Sequence, residues 1–344
     1  MLKEALAKVV LKEHLSGVQA RETMGLIMSG QATPAQIGGF LVALRVKGET
    51  AEEIAGFAQA MREKACGYVS RHRQLADTCG TGGDGAQTFN ISTTAAFIVA
   101  ACGQPVAKHG NRSVSSRAGS ADLLEALGAK IDLPPEISGR CLDEVGFGFF
   151  YAPVCHPAMK YAAGPRRELG LRTVFNILGP LCNPAGAKVQ VLGVYSPELV
   201  TLVAEVLALL GVTRAFVVHG AGGLDEVSPV GECFYAEVKN GTVRCGVLDP
   251  LDYGIERCSI EALRGGTAVE NAALTRDILE GSPGPKTDSV ILNAALALVA
   301  SGVAEGVAEG LCLSREVLAS GQALSKMEEY IAWTRRFADA RADS

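Results

Sequence analysis

The sequence predicts an α/β protein in two parts: a small N-terminal all-helical domain, residues 1–70, and a larger α/β domain with a mostly parallel central sheet, residues 71–159 and 186–344. Three observations carry this. The first part shows only helical periodicity, with a start signal ahead of successive apolar stripes. From about residue 74 short apolar runs alternate with helical segments, the pattern of a parallel sheet. Two of the connecting loops are dense in glycine and hydroxyl residues, a composition that suits the strand-to-helix turns of such folds.

In the first part, Leu2, Leu6, Val9 and Val10 fall on one helical face. Thr33-Pro34-Ala35-Gln36 supplies a capping residue, a proline at the first helical position and a glutamine at the third. Ile37, Phe40, Leu41 and Leu44 then recur at helical spacing until Gly48. Thr50-Ala51-Glu52-Glu53 repeats the signal ahead of Ile54, Phe57, Ala58 and Met61.

In the second part, Leu75–Cys79 reads as a strand before the first loop and Thr94–Ala101 as a helix after it. Pro105–Ala107 leads into the second loop, Ser120 caps Ala121–Leu127, and Gly128 ends that helix. Phe147–Tyr151 is strand-like. Residues 156–185 read as a helical or irregular crossover, with 160–185 packing on the helical domain as a cleft wall. Lys188–Tyr195 is a strand, Leu199–Leu210 a helix, and Arg214–His219 a buried strand opening onto Gly220-Ala221-Gly222-Gly223-Leu224-Asp225-Glu226. Phe234–Val238 and Thr242–Arg244 form a β-hairpin across Asn240-Gly241. Gly281-Ser282-Pro283-Gly284-Pro285 separates two long helical segments near the C-terminus. There is no internal repeat or low-complexity stretch.

A chain of 344 residues with 48% hydrophobic and 20% charged residues has the composition of a well-buried globular protein. The net charge of −5 argues against a nucleic-acid binder, which carries a basic excess or stripe. Ten cysteines show no C-x-x-C pair and no zinc spacing, so they read as reduced, mostly buried thiols. The charged N-terminus has no apolar targeting core, and apolar runs such as Ala294–Ala300 are too short to span a bilayer. The expected setting is cytoplasmic, with no membrane partner.

The chemistry concentrates in Asp77 to Ser120. The first loop, Gly80-Thr81-Gly82-Gly83-Asp84-Gly85, has neither the G-x-G-x-x-G register of a dinucleotide fold nor the Gly-Lys-Ser/Thr of a P-loop. Alone it fits a tight turn as well as an anion cradle. With Asn90-Ile91-Ser92-Thr93 at the next helix start, and with Lys108-His109-Gly110-Asn111-Arg112-Ser113-Val114-Ser115-Ser116 through Ser120, the cradle reading prevails. Two such loops suit a ligand with more than one phosphate, which points to an enzyme for a phosphorylated sugar. Asp225-Glu226, after a strand and a glycine turn, is a place where paired carboxylates meet a hard cation, although adjacent acids on a loop are more often simply solvated.

These segments, with Gly30-Gln31-Ala32-Thr33-Pro34, Lys47-Gly48-Glu49-Thr50, Arg172-Thr173-Val174-Phe175-Asn176 and Leu178-Gly179-Pro180-Leu181, resemble the anthranilate phosphoribosyltransferase family of tryptophan biosynthesis, in order along essentially the whole chain. The resemblance implies transfer of phosphoribose from phosphoribosyl diphosphate to the amine of anthranilate, with Mg²⁺, two ions, in a homodimer. It implies sugar-diphosphate contacts from Gly80, Gly83, Asp84, Thr88, Asn90, Ile91, Ser92, Thr93, Lys108, His109, Gly110, Asn111, Arg112, Ser113, Val114, Ser115, Ser116 and Ser120, with Lys108 as a fixed charge on phosphate. It implies metal ligation by Ser92, Asp225 and Glu226. For anthranilate it points to Gly80, Asn111 and Arg166, with Arg172 as a second candidate. His109 orients the acceptor amine, takes its proton, or is a packed structural histidine. Gly164-Pro165 stands where the family commonly has Pro-Val, and Gly223 where it commonly has Asp.

Two other readings remain open on the residues. A pyrimidine nucleoside phosphorylase shares the fold but binds one phosphate and uses a Lys-His-Ser-Thr-Gly-Gly type of loop. A paralogue of the fold could bind nucleic acid without catalysis, against which the acidic balance counts.

Overall fold

The computed structural model describes residues 2–113 and 117–342. One sheet contains seven strands, in the order β3-β2-β1-β4-β5-β6-β7. They are β1 (Ala76–Gly80), β2 (Val106–Gly110), β3 (Phe147–Tyr151), β4 (Val189–Gly193), β5 (Arg214–Gly220), β6 (Cys233–Lys239) and β7 (Thr242–Leu248). β1 to β5 run parallel, and β6 and β7 extend the sheet antiparallel. The parallel strands are short and buried on both faces, as strands covered by helices on each side must be.

Alternate residues feed two cores. Val191 and Phe216 pack with Phe97, Leu292 and Leu296 from the helices Ile91–Ala101 and Pro285–Ser301. Leu192 and Val217 pack on the opposite face with Val203 and Leu207 of Glu198–Leu209. The chain runs outward from β1 through β2 to β3, and the other way from β4 to β5. β1 and β4 therefore flank the point where strand order reverses, the crevice in which open α/β sheets bind ligands at their carboxyl ends. At that edge β1, β2, β4 and β5 all finish on glycine: Gly80, Gly110, Gly193 and Gly220.

The helical part comprises Leu2–Val10, Gly17–Met28, Pro34–Lys47 and Ala51–Glu63. Ser16, Thr33 and Thr50 cap the last three, each in a reciprocal capping box. Glu53 is fully buried and binds its neighbourhood together: it accepts from the Leu15 N–H at 2.9 Å, the Thr50 N–H at 2.9 Å and the Lys47 ammonium at 2.7 Å. Lys160–Leu169 packs on Pro34–Lys47, and Phe175–Leu181 on Ala51–Glu63. One apolar cluster passes from Met24, Phe40 and Phe57 through Phe175 and Leu178 to Val203 and Val217.

Several sequence expectations change. β2 runs on to Gly110, so Lys108 and His109 belong to a strand and the second loop begins at Asn111. The helix expected over Thr94–Ala101 starts at Ile91. Ser120 is not the cap but the first helical residue; Gly119 is the N-cap, and its N–H is taken by Asp122 at 2.8 Å. The second C-terminal segment is three helices, Pro285–Ser301, Val307–Ala319 and Gln322–Ala342, because Gly302 and Gly321 adopt left-handed backbone and stop the run. All ten cysteines are free thiols. Among the described residues no helix is long and apolar enough to cross a membrane.

Candidate active site at the strand ends

The chain leaves β5 in a tight turn in which the Gly220 N–H donates to the Leu224 carbonyl at 2.8 Å. This returns Asp225 and Glu226 over the sheet edge. Gly193 and Gly80 are register partners on β4 and β1, and Asp225 lies across both. A Cβ on Gly193 would run into the Asp225 backbone, and one on Gly80 into its carboxylate. Asp225 Oδ2 accepts from the Gly82 N–H at 2.7 Å, and Glu226 Oε1 from the Ser92 N–H at 3.2 Å. The Ser92 hydroxyl also bonds Glu226.

Burial pushes the Asp225 carboxyl up, and the adjacent Asp84 adds to the rise; Glu226 is raised by burial and then by Asp225. Asp84 Oδ2 is buried without a hydrogen-bond partner among the described residues. Acids forced together and away from water call for a cation. Among the described residues no group of three His, Cys, Asp or Glu is arranged to hold a metal alone. Two carboxylates and a hydroxyl make a partial oxygen donor set, which fits Mg²⁺, an ion that completes its shell with water and substrate phosphates.

The first loop is folded over this pair by Gly82, Gly83 and Gly85, all at positive φ. Its Thr81 N–H donates to the Gly193 carbonyl at 2.9 Å. Arg172 stacks on Tyr195 at 4.3 Å and donates to the Gly83 carbonyl, so its guanidinium braces the loop from across the cleft. Asn90 precedes the helix Ile91–Ala101 without capping it through its side chain. Its amide instead donates to the Ala118 carbonyl at 3.0 Å and accepts from Asn271 at 3.0 Å, joining the two loops. Thr88 bridges to Arg264, and Ile91 and Thr93 are buried at the helix start.

In the second loop, Asp122 accepts from the Ser113 N–H at 2.9 Å as well as from Gly119, closing the loop stem. Arg112 pairs with Asp122 and Glu125 at 2.9 and 2.7 Å, so its side chain turns towards the following helix. Gly110 sits against Phe149 and Ser120 with no room for a Cβ. Val114, Ser115 and Ser116 lie outside the described residues. Lys108 is buried beneath the floor, its ammonium donating to the Thr78 carbonyl. Burial raises Asp77 to about 6, offset in part by Lys108 and by Asn183, which donates to Asp77 at 2.8 Å.

The helix Phe175–Leu181 and its C-terminus gather a third set. His109 bonds the Gly179 carbonyl, and His156 the Cys182 carbonyl. The rings are 5.0 Å apart, and each leaves a buried Nε2 without a hydrogen-bond partner among the described residues. Burial, then the neighbouring His156, lowers His109 to about 3, and burial lowers His156 as well. Both imidazoles are therefore neutral. Arg166 lies over the Phe175 ring at 5.0 Å, half-buried and without a carboxylate partner among the described residues. Asn111 is exposed at the loop entrance. The sequence reading missed His156, Gly193, Asn271 and Asn293; its available signals were a His-Pro step, a glycine closing a β-rich run, and asparagines inside apolar helices.

This pairing of a helical bundle with a glycine-edged α/β sheet defines a glycosyl transferase. Residues 3–65 match the family model "Glycosyl transferase family, helical bundle domain", and residues 72–324 match "Glycosyl transferase family, a/b domain". The chain is 55% identical over 338 residues to anthranilate phosphoribosyltransferase of Moorella thermoacetica, covering 98% of this chain and 100% of that one. It is 58% identical over 334 residues to the Pelotomaculum thermopropionicum protein of the same name, covering 97% of each. The crystal structure of the Thermus thermophilus enzyme superposes with a TM-score of 0.92 at 49% identity, over 96% of this chain and 99% of that one. The Saccharomyces cerevisiae enzyme, in complex with PRPP and Mg, gives 0.89 at 29% identity, over 97% and 98%. The chain belongs to the anthranilate phosphoribosyltransferase family.

Proposed function

We propose that the protein transfers the phosphoribosyl group of 5-phosphoribosyl 1-diphosphate to the amine of anthranilate, giving N-(5-phosphoribosyl)anthranilate and diphosphate, the second step of tryptophan synthesis from chorismate. The observation that carries the reading is the buried acidic pair Asp225-Glu226, seated over Gly80 and Gly193 where strand order reverses. A single-phosphate phosphorylase has no need of that pair, and the net charge of −5 disfavours nucleic acid.

The amine lone pair forms the N–C1 bond while the C1–O bond breaks, its electrons leaving with diphosphate, and the proton lost by the amine passes to the departing diphosphate or to water. The backbone donors of Gly80 to Gly83 and the helix start Asn90–Thr93 bind the sugar diphosphate, with Asp84 and Thr88 alongside and Asn111 to Ser116 and Ser120 as further contacts from the second loop. Lys108 acts from beneath, as a charge next to Asp77 and Glu226 rather than a direct phosphate contact. Ser92, Asp225 and Glu226 would hold Mg²⁺, two ions in all, and the metal would supply positive charge for the departing diphosphate. Arg166 pairs with the anthranilate carboxylate, with Asn111 and Gly80 beside it. His109, neutral and with a free Nε2, orients the amine; a group that protonates only near about 3 is a poor proton store at neutral pH.

Residues 1–70 with 160–185 form the helical body and the remainder the α/β body. Val10, Leu11, Val18 and Val46 are exposed on the helical body, where Leu2–Val10 packs on both Pro34–Lys47 and Gly17–Met28. We read this patch as the homodimer surface. Ten free thiols suit a reducing, cytoplasmic setting. Calorimetry with phosphoribosyl diphosphate, with and without Mg²⁺, followed by a diphosphate-release assay with anthranilate, tests the function. Metal-dependent binding and release are expected; metal-independent phosphorolysis of a nucleoside would overturn it.

A further inference from the structure

Asp225 and Glu226 are held by more than their own side chains. The Asp225 backbone rests on Gly193, and the Glu226 carbonyl rests against Gly220, where a Cβ would collide with it. The next residue, Val227, is fully buried, and both of its backbone polar groups are claimed by one side chain. Asn293 Oδ1 accepts from the Val227 N–H at 3.2 Å, and Asn293 Nδ2 donates to the Val227 carbonyl at 2.8 Å. The same amide nitrogen donates to the Ser289 carbonyl at 2.8 Å, which fixes the rotamer to its own helix. Asn293 is itself buried in the helix Pro285–Ser301, among Ile291, Leu292, Ala294 and Ala295. A polar side chain in an apolar stripe costs stability unless it is fully paired, and among the described residues its pairings end on the backbone of the residue next to the acids or on the helix that carries it.

We propose that Asn293 is a positioning residue for the reaction: its carboxamide clamps the Val227 backbone on both sides of its Cα and so sets where Glu226 and Asp225 present their carboxylates to the metal–diphosphate. The clamp lies 66 residues away in sequence, on a helix that packs across β1, β4 and β5. The acids are thus held by a ledge that excludes side chains and by an amide that holds backbone. A carboxylate pair aimed this way loses little freedom on binding its ligand, whereas a loosened pair must be ordered at that moment.

The proposal rests on the acidic pair being the metal site. The test uses the full-length protein with Asn293→Ser, which cannot span both Val227 groups, and Asn293→Thr, which better fills the volume and keeps one hydrogen bond. Ser289→Ala is the control: it is equally buried on the same helix, but its hydroxyl bonds only the Pro285 carbonyl. The readouts are the calorimetric Kd for phosphoribosyl diphosphate at fixed Mg²⁺, the Mg²⁺ concentration giving half-maximal rate, the KM for anthranilate and the Tm. Asn293→Ser is expected to weaken sugar-diphosphate binding and raise the Mg²⁺ requirement by roughly 10- to 100-fold, as loss of an outer partner of a metal ligand does. Asn293→Thr should fall between it and wild type, with the anthranilate KM within about twofold in both. Ser289→Ala should lower Tm alone. A folded Asn293 variant with native Mg²⁺ dependence, or one in which both substrates weaken equally, overturns the proposal. If Asn293→Ser does not fold, Asn293→Thr decides between the same outcomes. Wild-type protein that binds no metal–sugar diphosphate would instead refute the reading of the acidic pair.

Discussion

Gly193 lies directly beneath the backbone of Asp225, so closely that no side chain fits between them. The strand end is therefore a ledge whose height sets the position of the acid. Gly193→Ala should lift Asp225 and Glu226 while leaving the sheet intact. Displacement of a reacting group by about 1 Å can cost roughly 100-fold, and a fall of that order in kcat/KM is expected with a cooperative thermal transition retained. Activity close to wild type would mean that the acid turn relaxes without consequence.

Asp225→Asn with Glu226→Gln should separate function from stability. Burial raises both carboxyls, so at neutral pH folding without metal must either desolvate their charge or take up protons, a cost that amides avoid. Diphosphate release should drop by about 10³-fold or more, while the Tm of the metal-free protein rises. A lower Tm would show that the ionised pair stabilises the fold.

Arg166→Ala should act on one substrate. A lost charged hydrogen bond of about 1.5–3 kcal/mol corresponds to a rise of roughly 10- to 100-fold in the anthranilate KM. The calorimetric affinity for phosphoribosyl diphosphate should stay within about twofold. Equal losses for both substrates would remove Arg166 from the acceptor site.

His109 makes stability pH-dependent. An unfolded histidine takes a proton near 6.5, but the buried ring resists until about 3. Between those values the unfolded chain binds the extra proton, so this contribution is complete above about 6.5 and is lost as pH falls towards about 3. His156 shifts in the same direction. Denaturant titrations from pH 7.5 to 5 should show His109→Gln losing less stability than wild type. Parallel curves would place the ring in water.

Leu11→Asp with Val46→Asp should convert a dimer to monomer in sedimentation experiments, since both side chains stand exposed on the helical body. A dimer that survives both charges would put the interface on another face.

The α/β architecture, the hairpin at Asn240-Gly241 and the helical caps at Thr33 and Thr50 were legible because each rests on local signals: periodicity, turn chemistry and capping spacing. The loops at Gly80 and Asn111 and the acidic pair were legible as composition. Their mutual arrangement was not, because it depends on contacts between distant segments. Asp122, to which the sequence assigns no role, closes a loop stem, and Arg112, expected on the sugar diphosphate, pairs here with Asp122 and Glu125. Lys108 shows the same limit: its place in the second loop suggested a fixed charge on phosphate, but the extra length of β2 buries it beneath the floor. The C-terminal helices were over-merged because Gly302 and Gly321 act through left-handed backbone that composition does not announce.

The apolar cluster that begins at Met24 and Phe57 and ends at Val203 and Val217 ignores the boundary between the two family modules. Excising the first module would strip a greasy wall from the second, and transplanting it onto a relative would demand that both halves of that seam be carried together. For protein engineers the indivisible part is thus the whole catalytic chain, and chimaeras should be cut at exposed turns such as Asn240-Gly241 rather than at the module junction.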